Sequence, residues 1–109
     1  MSIQNEILNA IASRRSCRAY KPEQITAEEL EAVTIAGTWA ATAMGRQSPV
    51  MVAVQDKETL AELSRLNAAV MGTQNDPFYG APTAVLVLGE KNNPNGVQDA
   101  SLVMGNLLL

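Results

Sequence analysis

Three arginines and a serine lie within five residues near the start of the chain, in the segment Arg14-Arg15-Ser16-Cys17-Arg18. A guanidinium group presents a rigid fork of donors that matches a phosphate, and a serine adds a hydroxyl or a backbone N–H. The segment therefore predicts a site for a phosphate-bearing cofactor. The alternative is a solvated basic turn after a helix, because short clusters of charge are usually surface features.

The chain contains no histidine and a single cysteine, Cys17. Without histidine it lacks the commonest general acid–base and the commonest transition-metal ligand, so we assign no catalytic residue and no metal site. A bound organic cofactor would have to supply the chemistry. Cys17 has no partner for an internal disulfide, and its position among arginines leaves two interpretations, a redox thiol or a passive small residue.

The bulk composition limits the class of protein. A chain of 109 residues is long enough for one small domain. A net charge of −3 argues against a nucleic-acid partner, which needs a broad basic face. The chain has no apolar run of about 18 residues that could span a bilayer, and it begins without a secretory signal. We therefore expect a soluble, cytoplasmic protein without a membrane partner.

Two predicted helices flank the arginine segment. Ser2 is placed to cap a helix over residues 3–13, whose isoleucines and leucine share one side. Thr26 and Glu29 form a capping-box pattern at the start of a long helix over residues 27–44. Small residues in the later part of this helix favour close packing of a neighbouring helix.

The remaining elements are two apolar strands and two helices. Residues 50–54 predict a buried strand and residues 83–88 a second apolar strand, and their mutual direction stays open. Between them Asp56 caps a helix that ends at Gly72, and a last helix begins near Val97. The element order is typical of an α+β domain. Four residues of the third helix are spaced to face the core: Leu60, Leu63, Leu66 and Val70.

Four motifs, in order along the chain, resemble the nitroreductase family. The Arg-Arg-Ser-x-Arg-x-Tyr pattern of residues 14–20 resembles the FMN phosphate-binding opening of that family. The Arg-Gln-Ser-Pro turn of residues 46–49 and the Gly-Ala-Pro of residues 80–82 are similar to its approaches to two strands, and residues 99–107 resemble the start of its central helix. The resemblance implies a nitroreductase-like three-layer α-β-α domain over residues 1–109, incomplete at its C-terminal end.

The resemblance also implies an activity. A member of this family would be an FMN-dependent oxidoreductase in which NAD(P)H gives a hydride to flavin N5. A nitroaromatic, quinone or similar small-molecule acceptor would then take the electrons at the same face, with ping-pong kinetics.

By the same resemblance, Arg14, Arg15 and Ser16 would hold the FMN phosphate. Arg18 would lie nearer the flavin ring, where a fixed cation stabilises the negative charge of the reduced cofactor. Gln47 would approach the flavin across the interface of a homodimer. The family's asparagine in that turn is Gly45 here, so one amide that could contact the flavin is missing. Gln47 and its neighbour Arg46 would otherwise be residues of a surface turn.

Two other functional interpretations stay open. The last residues are three leucines without a helix cap, a feature of an interrupted domain or of a surface that packs against a second copy. The chain could then be a non-catalytic family member or fragment that dimerises or binds an anion without turnover. A phosphate-binding module without a redox role is the third interpretation, but no glycine-rich nucleotide loop supports it.

Five further residues have a structural and a ligand-binding interpretation. We expect the four aromatic residues to pack rather than to stack on a flavin, and the last, an asparagine, to face solvent rather than a ligand. They are Tyr20, Trp39, Phe78, Tyr79 and Asn106.

Overall fold

A computed structural model describes residues 2–109 of the chain as four α-helices, a short 3-10 turn and a two-stranded sheet, which confirms the α+β class. The elements are α1 Glu6–Ser13, α2 Ala27–Thr38, a short 3-10 turn Ala43–Gly45, β1 Val50–Val54, α3 Lys57–Met71, β2 Ala84–Leu88 and α4 Gly96–Leu107. The arginine segment follows α1 directly and leads, without regular structure, to the start of α2.

The two strands pair antiparallel, with Val50 opposite Leu88 and Val54 opposite Ala84. The prediction of a buried first strand is wrong in part, because Val50 and Val52 are exposed. An apolar run indicates that both faces of a strand are apolar, but it does not predict what covers each face. In this structure Met51, on the opposite face from Val50 and Val52, lies against α2.

Helices α2 and α4 pack closely, as the small residues of α2 predict. Gly37 is buried, and a Cβ atom at that position would lie 2.7 Å from Met51 Sδ and 3.0 Å from Leu107 Cδ2. Asn106 of α4 donates its side-chain N–H to the backbone oxygen of Ala36, at 2.8 Å. Asn106 is half-buried, so the expectation that it faces solvent is wrong.

The starts of the first two helices differ in how well local sequence predicts them. The predicted capping box of Thr26 and Glu29 is confirmed, with both reciprocal bonds present. The prediction that Ser2 caps α1 is wrong, because the helix begins at Glu6 and the side chain of Asn5 accepts from the backbone N–H of Leu8. Asn is as good a cap as Ser, and the sequence offers both.

The predicted end of α2 at about Met44 is also wrong, because the helix stops at Thr38. The chain then turns, and Met44 adopts a φ of 56° that a helix does not allow. A contact from α4 fixes this turn: the side chain of Asp99 accepts a hydrogen bond from the backbone N–H of Ala43.

The limits of α3 agree with the prediction. Asp56 accepts a hydrogen bond from the N–H of Thr59, and Gly72 closes the helix in the left-handed conformation. The predicted core stripe is wrong in its second half, because Leu66 and Val70 are exposed. The covered stripe is instead the one that contains Leu60, Ser64 and Ala68, because the loop that follows α3 lies against it and accepts a hydrogen bond from Ser64.

The core of residues 2–109 is small. Its buried hydrophobic side chains are Leu60, Ala68 and Val103, and most other apolar residues keep part of their surface exposed. Within the same residues, no helix is both long and apolar enough to cross a membrane.

Candidate functional site

The arginine segment leaves α1 as an extended chain. Arg14 is the C-terminal cap of the helix, and its N–H donates to Ala10 at 3.1 Å while its own backbone turns to φ −56° and ψ 135°. The hydroxyl of Tyr20 donates to the carbonyl of Cys17 at 2.9 Å, and the Cys17 thiol donates to the carbonyl of Ala19. These local bonds hold the segment against itself and leave its arginines at the surface.

Four of the five predicted site residues line one open groove of about 570 Å³. The arginine segment forms one wall, the loop after α3 forms another, and β2 and the end of α4 contribute apolar side chains. A groove of this size lies within the range of small-ligand sites. The four predicted residues in it are Arg14, Arg15, Ser16 and Arg18.

The arginines of the groove differ in how their donors are used. Arg15 Nη1 donates to the carbonyls of Ala12 and Arg14, at 2.8 and 2.9 Å, which places its charge at the C-terminal end of α1. The side chains of Arg14 and Arg18 make no hydrogen bond or ion pair with residues 2–109. Their guanidinium groups are therefore available to an anionic ligand.

Asp76 organises the loop after α3, which forms a second wall of the groove. Its carboxylate accepts hydrogen bonds from the N–H of Phe78 at 2.9 Å, the hydroxyl of Ser64 at 2.8 Å and the N–H of Gly80 at 2.8 Å. These bonds, that of Phe78 foremost, lower the pKa of Asp76 from its ordinary value of 3.8. They also hold Tyr79, which lines the groove, at a φ of 53°.

Asp76 is not among the predicted site residues, although the sequence carries a signal for it. Asn75, Asp76 and Pro77 mark a loop, and an aspartate in such a position commonly bonds the backbone two residues on. The same loop carries two of the aromatic residues of the groove. Phe78 and Tyr79 line the groove with Tyr20, whereas Trp39 lies outside it and is 81% exposed, so the packing predicted for Trp39 is absent from this structure.

Gln47 lies in a different cavity, of about 230 Å³, between the end of α2 and β1. Its Nε2 donates to the carbonyl of Thr38 at 3.2 Å, and its backbone N–H donates to the hydroxyl of Thr42 at 2.9 Å. The structure therefore does not bring Gln47 together with the four groove residues inside one chain. Arg46, beside it, is exposed.

The donor chemistry of the groove fits a phosphate ester that carries an aromatic group. Two unengaged guanidinium groups and the Ser16 hydroxyl can bind a phosphate. The apolar and aromatic wall formed by Phe78, Tyr79 and Val85 can bury the rest of such a ligand.

Comparison with known proteins identifies the family and the fold of the chain. The family model described as "Nitroreductase family" matches residues 11–77. A nitroreductase with bound FMN from Bacteroides fragilis NCTC 9343 is 29% identical, with a TM-score of 0.85 over 96% of this chain and 63% of its own. A nitroreductase with bound FMN from Desulfitobacterium hafniense DCB-2 is 27% identical, with a TM-score of 0.85 over 97% of this chain and 64% of its own.

A third solved structure, an FMN-dependent nitroreductase from Clostridium difficile R20291, is 27% identical, with a TM-score of 0.83 over 94% of this chain and 53% of its own. No curated protein matches the chain. The chain thus spans less than two thirds of the length of these three solved structures. Over that length, the predicted nitroreductase-like fold is confirmed.

Proposed function

This chain belongs to the nitroreductase family, and from that premise we propose that it acts as an FMN-dependent oxidoreductase. The proposed reaction takes a hydride from NAD(P)H and passes electrons to a nitroaromatic, quinone or similar small acceptor. The observation that carries the proposal is the groove, in which Arg14 and Arg18 present guanidinium groups with no partner among residues 2–109. The FMN bound by the solved relatives supports it.

The residues of the groove fit FMN by their chemistry. Arg14 and Ser16 would bind the phosphate directly, and Arg15, whose Nη1 is shared with two backbone carbonyls, would add its remaining donors. Arg18 would place a positive charge beside the flavin ring, where reduction adds negative charge. When bound, FMN supplies the hydride and electron transfer that none of these side chains can perform.

We assign Gln47 to the same cofactor in a homodimer. Gln47 and the arginine groove lie in separate cavities of one chain, so a partner copy would have to bring the two together. The exposed apolar side of α1 supports an interface between copies, because Ile7 and Ile11 are 71% and 55% exposed.

The first experiment is a visible absorption spectrum after incubation with FMN and removal of the free cofactor, followed by anaerobic addition of NADH and then NADPH. We expect retained flavin absorbance that bleaches with at least one of the two donors. Initial rates with a quinone or nitroaromatic acceptor should then give parallel double-reciprocal plots, the signature of ping-pong kinetics. Flavin that is retained but not reduced by either donor would contradict the proposed activity.

A second candidate function is anion binding or dimerisation without turnover. The observation behind it is the groove itself, because guanidinium groups with no partner among residues 2–109 can bind an anion whether or not a redox cofactor is bound. On this alternative the purified protein stays colourless after incubation with FMN but still binds inorganic phosphate, an affinity that calorimetry measures. Stoichiometric, reducible flavin would exclude it.

A further inference from the structure

Asp99 is a buried carboxyl group whose two oxygens differ in their surroundings. The residue is 3% exposed and lies in the first turns of α4. Its Oδ1 accepts a hydrogen bond from the backbone N–H of Ala43, at 3.0 Å. Its Oδ2 is buried without a hydrogen-bond partner among residues 2–109. An unpartnered buried oxygen costs free energy, so an apolar side chain would serve the packing of α4 better. The hydrogen bond to Ala43 is the contact that this carboxyl group makes with the turn after α2.

The bond from Asp99 ends on a turn with an unusual backbone. Met44 and Gln47, which are not glycines, have φ values of 56° and 51°. Side chains rarely adopt such values, and they persist only where the surrounding structure holds them. Ala43 begins the 3-10 turn, and its N–H is fixed by a residue 56 positions away in the sequence. The hydrogen bond from Asp99 on α4 thus reaches the first residue of this turn.

The same turn carries Gln47. Two bonds tie this residue to the segment just before it, from its N–H to the Thr42 hydroxyl and from its Nε2 to the Thr38 carbonyl. A second contact comes from the loop before α4, where Asn93 Nδ2 donates to Ser48 Oγ at 3.4 Å. The position of Gln47 thus follows from that of the backbone between Thr42 and Ser48, which α4 and its preceding loop contact at both ends.

We propose that Asp99 is a positioning residue that holds the turn of residues 42–48 in the conformation that presents Gln47 to the cofactor. The hydrogen bond by which Asp99 holds the turn does not depend on a ligand. The presentation of Gln47 to a cofactor rests on the proposed function.

The first test measures amide hydrogen exchange at Ala43 by NMR in the cofactor-free protein. We expect Asp99→Ala to reduce protection at Ala43 about tenfold relative to the amides of β1, the factor that one hydrogen bond of ordinary net strength contributes. Asp99→Asn keeps an oxygen that can accept from Ala43 and should restore most of the protection. Unchanged protection in Asp99→Ala would overturn the proposal.

Two further variants separate this effect from a general loss of stability. Asp56→Ala is the matched control, because it also removes a carboxylate that accepts from a backbone N–H, here that of Thr59 at 2.9 Å. It should leave the ratio of Ala43 protection to β1 protection unchanged. Asp99→Val fills the site with an apolar side chain and also removes the acceptor for Ala43, so it takes the place of Asp99→Ala if that variant fails to fold. Equal loss at Ala43 in Asp56→Ala would also overturn the proposal.

The second test is a double-mutant cycle on FMN affinity with Asp99→Ala, Gln47→Ala and the double variant. We expect Asp99→Ala to weaken FMN binding about tenfold. The double variant should bind FMN as weakly as Gln47→Ala alone, because both substitutions remove the same contact, that between Gln47 and the cofactor. Additive losses would show that Asp99 does not act through Gln47. A wild-type protein that binds no FMN contradicts the proposed function and the presentation of Gln47 with it. The exchange measurement at Ala43 then still decides whether Asp99 holds the turn.

Discussion

At the scale of single residues, the groove distinguishes arginines that share one sequence pattern. Arg15 already donates to the carbonyls at the end of α1, whereas Arg14 and Arg18 make no such bonds within residues 2–109. A side chain that binds the backbone must share its donors with a ligand, and one that is unengaged need not. The sequence pattern alone ranks these arginines equally, but the structure does not.

We expect Arg14→Ala to raise the Kd for FMN about 10- to 100-fold, the range for loss of a charge-assisted hydrogen bond. Arg15→Ala should have a smaller effect. Quenching of flavin fluorescence measures both affinities. The matched control is Arg65→Ala, because Arg65 is paired with Glu62 on α3 and lies outside the groove. Equal affinities for wild type and Arg14→Ala would contradict the assignment of the phosphate site.

The second residue-scale prediction concerns pH. Because the pKa of Asp76 is lowered in the folded protein, its carboxylate stabilises the groove wall above the ordinary value of 3.8. That contribution is lost as the pH falls below 3.8 through the lower pKa of the folded state. We expect the amide resonances of Phe78 and Gly80 to shift over this acid range in an NMR titration. Asp76→Asn has no carboxyl group to protonate, so a similar titration in that variant would contradict the assignment.

At the scale of elements, the contact between α2 and α4 depends on the absence of a side chain at Gly37. Its missing Cβ leaves room for Met51 and for Leu107, which also lines the arginine groove. Leu107 therefore belongs both to the packing of the two helices and to the lining of the groove.

We expect Gly37→Ala to lower the free energy of unfolding by about 1 kcal/mol, because overpacking costs roughly 1–3 kcal/mol and the helix gains at most about 1 kcal/mol. Gly105, in the last turns of α4, is the matched control because a Cβ there would meet nothing within 4 Å. Gly105→Ala should raise the free energy of unfolding by up to about 1 kcal/mol. Urea denaturation measures both, and equal effects at the two positions would contradict this account of the packing.

At the scale of the whole molecule, the chain is more open than a single domain of its length. Its radius of gyration is 15.8 Å, whereas a compact domain of 100 residues has about 13 Å. Several large apolar side chains are more than half exposed, among them Trp39, Met44 and Val70. Apolar surface on this scale is typical of proteins that pack against a partner.

We expect the protein to be a dimer in solution and Ile7→Glu to weaken it, because a charge on the apolar side of α1 would have to be desolvated at the interface. Asn9→Glu is the control on the same helix, since Asn9 lies on a different side from Ile7 and Ile11. Light scattering gives the mass of each variant. A monomeric wild type at working concentration, or equal effects of the two substitutions, would contradict an interface on this side of α1.

What the sequence determined by itself is local. The capping box of Thr26, the cap of Asp56 and the helix end at Gly72 all appear where they were predicted. Each of these signals depends on bonds between residues at most four or five positions apart. They therefore form without contacts from distant parts of the chain. Apolar, β-branched runs also located both strands, because their composition is a property of each segment by itself.

What only the tertiary structure decided depends on contacts between distant residues. The early end of α2 leads into a turn that is held by the bond between Asp99 and Ala43, which are 56 positions apart. The antiparallel pairing, the covered stripe of α3 and the separation of Gln47 from the arginine groove are of the same kind. Local patterns state which faces are apolar and which donors are present, but packing decides what lies against them, because burial and hydrogen bonding depend on neighbours in space.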